Sequence, residues 1–114
     1  MNTLPARQRR LNSPDVLPAA IHVIHYMICQ ARLVALDWTH NRAPVDAKQM
    51  ADLLDAIEIF PELIKNECDG AYDHFREMLK GYGPTIPGCA ALIDEFDRRV
   101  AEAEASHPNG AVAG

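Results

Sequence analysis

The stretch DVLPAAIHVIHYMICQARLVALDWTH, residues 15–40, decides the fold. In it Leu17, Ala20, Ile24, Met27, Ala31, Val34 and Trp38 recur three and four apart, the spacing that lines one side of an α-helix. Ile21, Ile28 and Ala35 widen that stripe. Asp15 stands where an N-cap would accept backbone N–H groups. Pro18 falls in the first turn, where its missing N–H forfeits no intrahelical bond. The pattern predicts one helix over Asp15–His40, sustained for three heptad-like repeats.

The opposite side of this helix carries His22, His25, Tyr26, Cys29, Leu33 and Leu36. A helix on the surface of a small domain would place lysine and glutamate there. A rod that is apolar or semi-polar on two sides is expected to be enclosed on two sides. The domain's own core takes one, and a further helix or a second copy of the chain takes the other. These six residues are the candidate interface, and a homodimer is the expected assembly.

Working outward, Asn41–Val45 with Pro44 reads as a short loop. Asp46 followed by Gln49 has the form of a capping box, and Val45 and Met50 are placed for a hydrophobic staple. Met50, Leu53, Ile57, Phe60 and Ile64 then repeat the helical period, so the second helix should fold back antiparallel on the first. Pro61 must kink that helix or end it. A third helix is expected over about Gly70–Lys80, presenting Tyr72, Phe75, Met78, Leu79 and Tyr82. After a Gly/Pro connection at Gly81–Gly88, a fourth runs over Pro87–Ala105 and presents Cys89, Leu92, Ile93, Phe96 and Val100. No segment alternates with period two, so no sheet is expected.

The fold class is therefore all-α: a four-helix single domain over 15–106, built on a long antiparallel helical hairpin. The termini are expected to be flexible, an arm over 1–14 and a disordered tail over 107–114, where Pro108, Asn109 and Gly110 stop any helix. A chain of 114 residues buries enough surface to need no disulfide or metal staple.

The net charge of −5 is unevenly placed. Residues 1–45 hold five arginines against Asp15 and Asp37, whereas residues 46–114 hold six basic against fourteen acidic residues. Such a surface repels phosphate and could attract a basic protein partner, though a plain solvated acidic face is the preferred reading; nucleic acid is not an expected ligand. Arg7, Arg9 and Arg10 lie in the arm with no aromatic residue interleaved for base stacking. Three cysteines, Cys29, Cys68 and Cys89, form no disulfide framework, which points to a reducing cytoplasm. The apolar run Leu17–Leu36 contains His22, His25, Gln30 and Arg32, too polar a composition for the reading of a membrane span.

Candidate chemistry is sparse. His22, His25 and Cys29 fall within about 60° of one another around the first helix. Imidazole and thiolate at that spacing could hold zinc if a further helix supplied a fourth ligand, such as Asp55 or Glu58. The competing reading is two hydrogen-bonded histidines and a cysteine acting as a small hydrophobe, and it is preferred. Asp52, Asp55, Glu58 and Glu62 form an acidic stripe best read as the wet side of the second helix. Asp73, His74 and Glu77 group on the third, and Cys68 between two acids is a poor nucleophile. Trp38 reads equally as an interface anchor or an end plug of the core. No phosphate-binding loop, H-E-x-x-H or paired Glu-x-x-His motif occurs outside the tail, and no cofactor is expected. The expected function is a small protein-interaction module of regulator, adaptor or toxin-neutralising type, self-associating through its first helix. The alternative is a metal- or ligand-dependent helical enzyme or sensor using His22, His25 and Cys29.

Overall fold

The structure, a computed structural model, describes residues 9–66 and 70–106. It is all-helical, with α1 at Leu17–Asn41, α2 at Ala47–Asn66, α3 at Ala71–Tyr82 and α4 at Cys89–Ser106, and no strand among the described residues. α1 packs on α2, α2 on α3, α3 on α4, and α4 closes back against α1. The connection between α1 and α2 is only five residues long. It reaches about 20 Å at full extension, too short to return along the roughly 30 Å of a 20-residue helix. Two helices so joined and packed side by side run antiparallel.

Local chemistry sets the helix ends. Asp46 caps α2 as the sequence predicts, its Oδ1 accepting the Gln49 N–H at 3.0 Å. Asp15 does not cap α1. The helix begins at Leu17, and the Ser13 carbonyl takes the Val16 and Leu17 N–H groups at 3.1 and 2.8 Å. At the other end Arg42 turns left-handed (φ 56°), its N–H bonding back to Trp38 at 2.9 Å while its guanidinium lies over the indole. Pro61 sits inside an unbroken α2 and does not divide it.

The core is built from Ala19, Ala20, Val23, Ile24 and Met27 of α1 and Leu53, Ala56, Phe60 and Leu63 of α2. Tyr72, Phe75 and Leu79 of α3 and Leu92, Phe96 and Val100 of α4 complete it. Phe75 bridges the layers, its ring 5.7 Å from Phe60 and 5.5 Å from Phe96. The buried side of α1 is turned from the expected stripe. Ala19 and Val23 are in, whereas Ile21 and Ile28, on the other side, are exposed; Trp38 lies on the buried stripe but beyond its covered part, and is exposed too.

Residues 9–14, expected within a flexible arm, are packed. Leu11 is 1% exposed. Arg9 donates to the Tyr72 hydroxyl at 3.1 Å and to Glu104 at 3.0 Å and stacks over the Tyr72 ring. Burial pushes the Tyr72 phenol up, against the pull of that guanidinium. The rest of the expected arm, 1–8, and the tail 107–114 lie outside the described residues.

The α3–α4 connection is tied to the middle of the hairpin at two points. Thr85 donates its hydroxyl to Asp52 at 2.5 Å, and Asp52 also takes Lys48 at 3.2 Å. Tyr26 donates to the Pro87 carbonyl at 2.9 Å. Next to it Gly88 adopts φ 76°, and a Cβ there would stand 2.8 Å from the Tyr26 hydroxyl.

Two stability predictions follow from these contacts. Leu11→Ala should cost about 2–3 kcal/mol by urea melt; a neutral result would return residues 9–14 to an unpacked arm. Gly88→Ala should cost about 2 kcal/mol, part left-handed strain and part collision with the Tyr26 hydroxyl. In a Tyr26→Phe background the cost should fall to about 1 kcal/mol, since the colliding atom is gone. Equal costs in both backgrounds would show that the two residues do not meet.

Candidate functional site

The six interface candidates on α1 divide into two groups. Tyr26 is half-buried and spent inside the chain on Pro87, so it belongs to the fold's own joint. His22 and Cys29 are half-buried, His25 is exposed, and Leu33 and Leu36 are exposed at 58% and 40%. The second side of α1 is therefore largely uncovered within one chain.

The metal reading finds little geometry. The Cys29 thiol lies 3.9 Å from Nε2 and 4.0 Å from Nδ1 of His25. Near-equal distances place sulfur against the ring side and not along one nitrogen's lone pair. Among the described residues no three His, Cys, Asp or Glu side chains gather as a metal-holding group. Asp55 and Glu58, offered as completing ligands, are exposed on α2.

The other candidates separate as well. Asp55, Glu58 and Glu62 form the wet side of α2, but Asp52 turns inward, 8% exposed, and pins the α3–α4 loop. Sequence periodicity had grouped it with its neighbours; only its Thr85 partner, 33 residues away, explains the burial. On α3 His74 is exposed and Glu77 pairs with Lys80 at 3.4 Å. Arg9 is engaged with Tyr72 and Glu104, while Arg7 and Cys68 lie outside the described residues. An open cleft of about 300 Å³ between the start of α1 and the end of α4 is lined by Asp15, Pro18, Arg99, Glu102 and Ser106.

What the structure does bring together is an apolar surface. Seven large hydrophobic side chains are exposed among the described residues: Ile21, Ile28, Leu33, Leu36 and Trp38 on α1, Val45 in the loop and Leu54 on α2. All lie on the hairpin, and α3 and α4 supply none. Those two helices present ion pairs instead, Arg76 with Asp97 at 2.9 Å and Arg98 with Glu95 and Glu102 at 2.6 Å each. From Ile28 to Ala51, through the far half of α1, the loop and the start of α2, no residue is buried. Contrary to the expectation from its histidines, Gln30 and Arg32, α1 is by length and composition alone long and apolar enough to cross a membrane, a test that the core helix of a soluble protein also passes.

The two described cysteines sit in contrasting places. Cys89 is buried, donates its thiol to the Leu79 carbonyl at 2.9 Å, and has its pKa pushed up by burial. Cys29 stands part-exposed on α1.

Comparison of the chain with protein-family models, with curated proteins and with solved structures gives no match.

Under native conditions, iodoacetamide should label Cys29 at least tenfold faster than Cys89, as thiolate availability and access dictate. Comparable rates at the two positions would mean that the α3–α4 joint opens freely.

Proposed function

We propose that this chain is a small protein-interaction module that self-associates through α1 and the hairpin it forms with α2. The observation that carries the reading is the one-sided distribution of exposed apolar side chains, all seven on the hairpin and none on α3 or α4. A concentration of exposed apolar side chains on one part of a small domain marks a place where something docks. Among the described residues no three histidines, thiols or carboxylates gather into a metal-holding group. A regulator, adaptor or toxin-neutralising role fits a domain whose specificity lies in one surface. The wet side, with a net charge of −5 for the whole chain, suits a basic client. The odd cysteine count and the part-exposed Cys29 thiol suit a reducing cytoplasm.

Sedimentation at tens of micromolar should give a dimer. Leu33→Glu combined with Trp38→Glu places charge on both flanks of the apolar surface and should return a monomer with an unchanged helical spectrum. A wild-type chain that stays strictly monomeric to 100 µM would remove self-association from the reading.

A further inference from the structure

We infer that the far half of the hairpin is a docking site for the same half of a second copy, tip to tip, so that two chains complete one four-helix bundle. This rests on the self-association proposed above and adds its geometry. The occupant is another copy of this chain, approached antiparallel about a two-fold axis, which makes the contact self-complementary.

The first argument is continuity with the core. Ala20, Ile24, Met27, Ala31, Val34 and Trp38 fall on one stripe of α1. The first three are buried, Ala31 and Val34 are half-buried, and Trp38 is exposed. The stripe does not become polar beyond Met27. Its cover stops there, because the α3–α4 connection is tied to the hairpin at Tyr26 and Asp52. The remaining fourteen residues of α1 rise about 21 Å beyond that joint, and the molecule is accordingly 54 Å long but only 24 by 19 Å across.

The second argument is shape. Below the joint, α3 and α4 fill the space beside the hairpin as two adjacent helices. Above it the same space is left beside Ala31, Val34 and Trp38. A two-helix tip fits that space, and the hairpin of a second copy is such a tip. Overlapping along about 20 Å and across the 24 Å width of the bundle, the footprint is roughly 500 Å² in projection and larger in accessible area. That approaches the roughly 600 Å² per partner at the lower end of stable interfaces.

The third argument is charge. Within Ile28–Ala51, Arg32, Arg42 and Lys48 stand against Asp37 and Asp46. The tip is close to neutral in a chain of net charge −5, so two tips meet without the repulsion that two acidic α4 surfaces would impose.

Small-angle scattering with sedimentation on the full chain tests the arrangement. Tip-to-tip pairing lengthens the particle to about 90 Å, whereas pairing side by side along the outer face of α1 leaves it near the 54 Å of one copy. Val34→Glu and, separately, Trp38→Glu should each weaken the dimer about a hundredfold or more, since each sets two carboxylates in the shared core. Neither touches a buried residue position, so both melting temperatures should stay within a few degrees of the monomeric wild type at low concentration. Ile21→Glu, on the outer face about one and a half turns below the joint, should leave the long dimer intact. A compact dimer that Ile21→Glu dissolves would overturn the tip-to-tip geometry while keeping self-association. A monomer by sedimentation would overturn both, and co-flotation of that monomer with phosphatidylcholine–phosphatidylserine vesicles would assign the apolar surface to lipid instead.

Discussion

One mismatch of length governs this molecule. α1 runs about 37 Å, whereas α3 and α4 run about 18 and 27 Å, and the turn between them is fastened part-way along the hairpin. Two contacts do the fastening: Tyr26 on the Pro87 carbonyl and Thr85 on Asp52. Gly88 lets the chain turn under the Tyr26 hydroxyl, where any side chain would collide. Were the turn set higher, Val34 and Trp38 would lie in a closed core. Set where it is, it divides α1 into a buried half and a bare half.

The division runs around the molecule as well as along it. The aromatic cluster of Phe60, Tyr72, Phe75 and Phe96 concentrates the core between the lower halves of the helices. Arg76, Arg98 and Arg99 dress the outer sides of α3 and α4 with carboxylate partners. Exposed pairs of this kind add little to stability. Their effect is on where the molecule does not stick, since a hydrated, ion-paired surface resists dry contact. The hairpin has no such dressing on α1, whose far half carries Arg32 and Asp37 among leucine, isoleucine and tryptophan, with Arg42 just past its end.

Most of the fold was legible in the sequence. The three–four spacing marked all four helices, and the Asp46–Gln49 pair marked the start of α2 to the residue. The spacing also showed that α1 has apolar residues on two sides. It did not show which part of each side would be covered, because that depends on where the α3–α4 turn is fastened. Asp52 illustrates the limit: it looks like its acidic neighbours until Thr85 is known to lie beside it. Tyr26 is a second case, assigned by its face to an interface but used by the fold itself. Residues 9–14 are a third, since composition alone makes Arg9 and Leu11 look like free chain. His22, His25 and Cys29 share a helix face as their spacing says, yet a shared face is not a common focus.

The clasp of Arg9 on Glu104 joins positions 95 residues apart in the chain, close to the two limits of the described residues. Both limits lie at the pole opposite the α1–α2 loop, beside Tyr72. Anything fused before Arg9 or after Ser106 would therefore stand clear of the hairpin. In a tip-joined pair the two such poles are the most distant points of the assembly. The pair would then act as a spacer, holding cargo on either chain at opposite ends of one rod, with a separation set by helix length and insensitive to linker composition.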